Sequence, residues 1–233
     1  GIPSTAAITP IQFCEKYCQY VDEGYTDVIH VPINRSGSST YNNAVMAQGM
    51  LREERPEHHL NIHLLDPHTY SMVFGWYLCE MARKLQNGAE LRHVISEFET
   101  QMNKMEIILG PYSLKQMKKS GRISAAAAVM GELMGIRPII TLIDGKTRVE
   151  SKVRGDDKVI PAMIDLCKKR TEGVEDFDYM IGHTSIPQAA ELEKACRKAF
   201  GKAPLTTFNL GGVVSANTGP DTLALVYVGK PRD

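Results

Sequence analysis

The chain has 233 residues, 43% of them hydrophobic and 23% charged, the usage of an ordinary globular protein, which excludes a disordered or low-complexity chain. Its 27 Lys and Arg balance its 27 Asp and Glu, so a chain-wide basic surface for nucleic acid is not indicated. No apolar run reaches the length of a membrane span. Of five cysteines only Cys14 and Cys18 lie close together, at i, i+4 with no second Cys/His pair nearby; no zinc framework is visible, and reduced thiols in a cytoplasmic protein fit best. The chain opens Gly1-Ile2-Pro3 without an initiator Met, which weakens any argument from the lack of a signal peptide.

The spacing predicts a first helix at Thr9-Pro10-Ile11-Gln12, where Thr caps, Pro takes the first helical position and Gln closes a capping box. Ile11, Cys14, Cys18 and Val21 give it an apolar stripe, and Gly24 ends it. Val28–Ile33 reads as a short strand, followed by a polar loop at residues 34–39 and a helix from about Thr40 to Glu53. Asn61–Asp66 is a second strand. A helix carrying Met72, Val73, Trp76, Cys79 and Leu85 stops at Asn87-Gly88, and an amphipathic helix follows with Leu91, Val94, Ile95, Phe98 and Met102. The order αβαβαα implies a parallel sheet wrapped by helices. Two strands are few for such a sheet, so a further strand is expected from later in the chain or from a missing N-terminal segment.

The texture changes after Met105. A strand at Glu106–Leu109 is expected to break at Gly110-Pro111. A basic stretch, Lys115–Arg122, precedes an Ala-rich helix from Ser124 to Met134. Pro138–Ile143 and Lys146–Val153 flank Asp144-Gly145, a strong hairpin signal. Then come a helix over Asp156–Arg170, a strand over Asp178–Gly182, a helix over Pro187–Phe200, and strands near Leu205–Leu210 and Leu223–Val228. The fold class is therefore α/β with two domains. Residues 1–103 form a parallel sheet wrapped by helices, lacking its first strand; residues 104–233 are α+β with a mixed or antiparallel sheet.

Ser36, Gly37, Ser38 and Ser39 sit between a strand's carboxyl end and a helix start, where open α/β sheets bind ligands and where amides and hydroxyls favour an anion. Plain helix capping by the same residues is the alternative. Ser4-Thr5 before the first helix is a loop hydroxyl pair. Residues 115–158 carry ten Lys or Arg against five Asp or Glu, a basic patch suited to an acidic protein surface or a phosphate, or simply a solvated face. Ser215–Asp221 reads as a tight loop that offers amides and Asn217 to a ligand, or is only a turn. His30 reads as a satisfied core histidine and His58 and His59 as surface residues. His63 and His68 flank Asp66 with generic metal spacing. No nucleophile elbow, dinucleotide fingerprint or phosphate loop is present.

In order and spacing these segments resemble the DegV family of bacterial fatty-acid-binding proteins. Pro3-Ser4-Thr5-Ala6-Ala7-Ile8-Thr9-Pro10 resembles the family's Pro-Thr-Thr-Ser-Gln-Pro-Ser-Pro. Ser38-Ser39-Thr40-Tyr41 resembles its Ser-Gly-Thr-Tyr, and Asp66 with Ser71-Met72 and Gly75 its Asp-Ser strand end and following helix. Ser120-Gly121-Arg122-Ile123-Ser124 resembles its Gly-Gly-Arg-Ile-Ser. Ile136 to Asp144-Gly145 resembles its Lys-Pro-Ile-Leu hairpin, Val153-Arg154-Gly155 its Val-Arg-Gly, and Asn217-Thr218-Gly219-Pro220 its His-Thr-Gly-Pro.

The resemblance implies two α/β domains with a long-chain fatty acid between them, and a carrier that presents the carboxylate to a separate fatty acid kinase. Thr5 and Ser38 match the hydroxyls that hold the carboxylate; Ser39, Asn217 and Thr218 complete the expected ligand set. Arg122 and Arg154 match positions implicated in the kinase complex. No catalytic residue, metal or cofactor is implied, and no nucleic acid partner; transient contact with a membrane surface is compatible. Asn217 replaces the family's histidine and cannot carry its charge. Ala6 replaces a serine and Ser39 a glycine. The family's opening Asp-Ser strand is absent, in line with the strand found missing above. A phosphotransferase or other enzyme acting on a small anion, and a pure interaction module with a basic face, are the alternatives.

Overall fold

The computed structural model describes residues 3–124 and 135–231, so the Ala-rich helix expected up to Met134 lies, from residue 125 on, outside the described residues. By compactness the chain divides into two units, Ala6–Tyr70 and Gly1–Thr5 with Ser71–Asp233.

The smaller unit runs α1 (Pro10–Asp22), β1 (Asp27–His30), α2 (Thr40–Glu54), β2 (Asn61–Leu64). Its start is written locally. The Gln12 amide donates to Thr9 Oγ1 at 3.3 Å and the Thr9 amide to Gln12 Oε1 at 3.0 Å, the reciprocal capping box. Gly24, at φ +80°, ends α1. It lets the Tyr25 amide reach Tyr20 O and its own amide reach Val21 O, both at 3.0 Å. β1 and β2 pair in parallel, from Asp27 opposite Asn61 to His30 opposite Leu64.

Phe13, Cys14, Tyr17 and Cys18 of α1 pack on Ala44, Ala47 and Leu51 of α2 and on Leu60. The buried stripe is thus centred one position away from the expected one: Ile11 is 59% exposed, because the larger rings of Phe13 and Tyr17 take the interior. His30 is satisfied, as expected, but half-buried at the edge of this core rather than inside it. Its Nδ1 is hydrogen-bonded to the Tyr17 hydroxyl at 2.6 Å, and the Phe13 ring meets it edge-on. Burial lowers its pKa from the ordinary 6.5.

The larger unit begins with α3 (Met72–Gln86) and α4 (Leu91–Met102). Asn103, the expected domain boundary, is the C-cap of α4 and lies within this unit. Next come β3 (Met105–Pro111), α5 (Lys115–Ser120), β4 (Ile136–Ile143) and β5 (Lys146–Arg154). A 3₁₀ turn at Asp156–Lys158 leads into α6 (Val159–Arg170), then β6 (Tyr179–His183) and α7 (Gln188–Phe200). The chain continues with β7 (Thr207–Asn209), α8 (Gly212–Thr218) and β8 (Thr222–Val228).

Six strands form one mixed sheet in the order β5-β4-β3-β8-β6-β7, antiparallel except for β6 with β7. The Asp144-Gly145 turn takes positive φ at both residues, +48° and +70°, as a two-residue hairpin requires. Ile108, Ile181, Leu223 and Leu225 of the sheet pack with Val159 and Met163 of α6 and Leu192 and Cys196 of α7. No helix of the described residues is long and apolar enough to cross a membrane.

Two expectations are corrected. β3 does not break at Gly110-Pro111 but runs through both, with Pro111 opposite Thr222 at its end. Gly110 is there for space: a Cβ would meet Val159 Cγ1 at 2.7 Å, where α6 lies on the sheet. The stretch from Ser215 to Thr218 is the end of α8 rather than a loop; only Gly219-Pro220-Asp221 turns.

A charge enters the buried centre. Glu106 of β3, 6% exposed, takes both guanidinium arms of Arg170, Nη2 to Oε1 at 3.1 Å, and accepts from the Tyr227 hydroxyl at 2.7 Å. Glu106→Ala is expected to cost ~3 kcal/mol in urea unfolding, since it strands a guanidinium and a hydroxyl; a loss below about 1 kcal/mol would refute the role. The His30 shift has a sign as well. Above pH 6.5 both states are neutral there, and as the pH falls below it the unfolded chain protonates first. Stability therefore drops with acidity until the lowered folded pKa is passed, by at most ~1.4 kcal/mol per pH unit. The difference profile between the parent and His30→Gln should carry that slope.

Candidate functional site

Two loops leave the carboxyl ends of the parallel strands β1 and β2, the position where α/β sheets take ligands. Asn34, 1% exposed, organises the first. Its amide donates to Thr69 O and its Nδ2 to the Tyr70 hydroxyl, both at 3.0 Å. Its Oδ1 accepts from the amide and hydroxyl of Ser36, each at 3.2 Å. Asp66 ties the loops a second time, accepting from the amides of Arg35 (3.2 Å) and His68 (2.9 Å). Gly37 leaves room for Tyr70, whose hydroxyl occupies the place of its missing Cβ and whose Cζ lies 2.9 Å from it.

Ser38 sits half-buried on this frame. Its Oγ accepts from the Thr40 amide at 3.2 Å and lies 2.8 Å from Thr40 Oγ1. It thus braces the first amide of α2, in line with the capping reading of the segment. Ser39 is exposed and its hydroxyl makes no cap bond. The Thr69 hydroxyl is buried without a hydrogen-bond partner among the described residues. His68 holds φ +55°, a backbone strain that accompanies the tight second loop. The set offers neutral hydroxyls at a helix start, which can hold an anionic head group by donation.

The other expected ligand residues lie in the larger unit. Thr5 is exposed ahead of α1. Asn217 and Thr218 close α8, where Asn217 Nδ2 donates to Val213 O at 2.8 Å and Thr218 is buried. Gln116 of α5 joins these segments: its Nε2 donates to Ala216 O and lies 3.4 Å from Pro3 O. Gly219, at φ +89°, lets α8 come so close to α5 that a Cβ would lie 3.1 Å from Gln116 Cβ. Asn34, Thr69, Tyr70 and Gln116 were not singled out from the sequence. Only Asn34-Arg35-Ser36-Gly37 carried a readable signal, that of an Asx turn.

Arg122 and Arg154 are both exposed but not neighbours. Ser124 Oγ lies 3.0 Å from Thr147 Oγ1, which sets the Arg122 segment near the start of β5. Arg154 ends that strand, seven residues and therefore ~23 Å further on. β5 is an edge strand, and its exposed Lys146, Arg148, Lys152 and Arg154 also guard it against pairing with other chains.

His63, Asp66 and His68 do not converge as one donor group among the described residues. His63 turns to Asp27, Nε2 to Oδ1 at 2.9 Å, whereas His68 faces Asp66 at 3.6 Å. Among the described residues the donors close enough to share an ion are Cys14, Cys18 and Glu54.

The model of the family described as "Uncharacterised protein, DegV family" matches residues 1–230. This chain belongs to the DegV family. A DegV domain-containing protein of Clostridium perfringens is 29% identical over 97% of this chain and 78% of its own length. A stearic acid-binding protein from Eubacterium ventriosum superposes with a TM-score of 0.87 at 21% identity, over 98% of this chain and 79% of that one. A fatty acid binding DegV family protein from Streptococcus agalactiae gives 0.84 at 25% identity, over 99% and 80%. The small parallel sheet and six-stranded mixed sheet are those of DegV structures.

Gly37→Ala is expected to destabilise this DegV protein by ~1–3 kcal/mol through overpacking against Tyr70. Tyr70→Phe in the same chain should restore part of the loss, and thermal melts of the two variants test both statements.

Proposed function

We propose that this DegV-family protein binds a long-chain fatty acid and presents its carboxylate to a fatty acid kinase, acting as a carrier inside the cell rather than as the catalyst. Family membership over residues 1–230 carries the reading, supported by solved relatives described as fatty-acid-binding. The loop chemistry agrees with it. Ser38, with the Thr40 hydroxyl 2.8 Å away, offers neutral hydroxyl chemistry that suits a carboxylate that must stay free to react. Thr5, Ser39, Asn217 and Thr218 are assigned to the same ligand by resemblance. Asn217 brings a neutral amide where the family has histidine, so the head group is held without a cationic partner at that position.

The energetics divide between tail and head. Each buried methylene contributes ~0.8 kcal/mol, so a long acyl chain supplies roughly 10 kcal/mol before ordering costs. Each hydrogen bond to the charged head adds ~1.5–3 kcal/mol. Arg122 and Arg154 are assigned to the kinase surface, where their exposure leaves them available to acidic groups.

Native and denaturing mass spectrometry of the purified chain should find one fatty acid per chain, released on denaturation. Thr5→Ala and Ser38→Ala should each weaken retention ~10–100-fold. Arg122→Glu and Arg154→Glu should lower acyl-phosphate formation by the kinase while lipid content stays. An empty protein whose melting temperature rises with a nucleotide would overturn the carrier reading in favour of an enzyme acting on a small anion.

A further inference from the structure

Cys14 and Cys18 stand one turn apart on the same face of α1, and Glu54 ends α2 beside them. Each thiol reaches one carboxylate oxygen: Cys14 Sγ lies 3.6 Å from Oε1 and Cys18 Sγ 3.6 Å from Oε2. The two sulfurs and a carboxylate oxygen all fall within 4.8 Å of one another. A tetrahedral zinc ion with Zn–S of about 2.3 Å and Zn–O of about 2.0 Å has sulfur–oxygen edges of about 3.5 Å. Each sulfur is therefore already about one such edge from its own carboxylate oxygen, and a small turn of the Glu54 carboxylate would bring one oxygen between the two sulfurs. The donors come from two helices whose packing makes the core of the smaller unit, so little has to move.

We propose that Cys14, Cys18 and Glu54 form a binding site for a borderline-soft divalent cation, zinc in the first place, independent of the fatty acid site. Two thiolates and a carboxylate are a soft, anionic donor set that calcium and magnesium do not favour. Both sulfurs are buried, whereas Glu54 is exposed and gives the ion a way in from solvent. Without a metal the thiols stay protonated; burial, reinforced by Cys18 and Glu54, pushes Cys14 up to about 12. Metal binding breaks both S–H bonds, releases two protons to water, and forms two metal–sulfur bonds and one metal–oxygen bond. A water molecule fills the fourth position. Arg55 follows Glu54 but faces Asp22, Nε to Oδ1 at 3.8 Å, which offsets its charge. The ion would clamp α1 to α2.

The test is titration of the full chain, reduced and stripped of metal, with cobalt(II) chloride, followed by zinc. One cobalt per chain with a thiolate-to-cobalt charge-transfer band, bleached by zinc, is expected. The Cys14→Ser/Cys18→Ser variant should lose the band. Glu54→Gln changes an exposed side chain and leaves the core intact; it should weaken cobalt binding by at least ~10-fold while far-ultraviolet circular dichroism stays unchanged. Absence of the band in the parent, with its thiols titrated as free, would overturn the proposal. So would a band that survives the double cysteine change, which would put the metal on another thiol such as the exposed Cys79. An unchanged affinity in Glu54→Gln would remove the carboxylate from the site.

Discussion

β3 and β8 lie side by side at the centre of the six-stranded sheet with their faces covered, so their peptide groups cannot turn to water. Each strand must find partners on both edges. β3 therefore has β4 on its far side, and β8 has β6. Glycine appears where a neighbour presses in: Gly110 under Val159, and Gly182 where a Cβ would meet Leu210 and Phe208. The buried carboxylate of Glu106 obeys the same rule, which is why an arginine from α6 and a tyrosine from β8 converge on it. The helices, the glycines and the ion pair are all consequences of a doubly covered central pair.

Much of this order was legible from short-range punctuation. Thr9, Pro10 and Gln12 specify how α1 begins, Gly24 how it ends, and Asp144-Gly145 the hairpin, each through residues within a few positions of one another. The order αβαβαα over the first hundred residues followed from such signals. Where tertiary packing decides, local reading failed. Gly110-Pro111 spells a break, yet the sheet and α6 hold it as strand; Ser215–Thr218 spells a loop, yet it completes α8. The buried stripe of α1 went to the aromatic side chains and away from Ile11.

The candidate site was legible in residue type and hidden in its connections. Ser38 could be named because hydroxyls at a helix start have a recognisable use. What fixes its loop is Asn34 bonded to Tyr70, 36 positions on, and Asp66 bonded to Arg35 across 31. Gln116 meets Ala216 across 100. A single sequence gives no pairing at that range, so the supporting residues emerge only with the fold. The same holds for Glu54, which turns the i, i+4 cysteine pair of α1 from two core thiols into a group of three donors.

The central pairing also fixes the order in which the larger unit can be finished. β4 and β5 close on a two-residue turn and form as soon as both are made. β3 has one edge satisfied by β4, but its other edge waits for β8, and Glu106 waits for a tyrosine 121 positions later. Closing so long a loop comes late and slowly on the entropy scale of chain folding. On the ribosome, therefore, an apolar strand edge and a half-neutralised acid stay open until Thr222–Val228 has emerged. For that interval the nascent chain is at its most vulnerable to mispairing, and the cell's holding factors have most to protect.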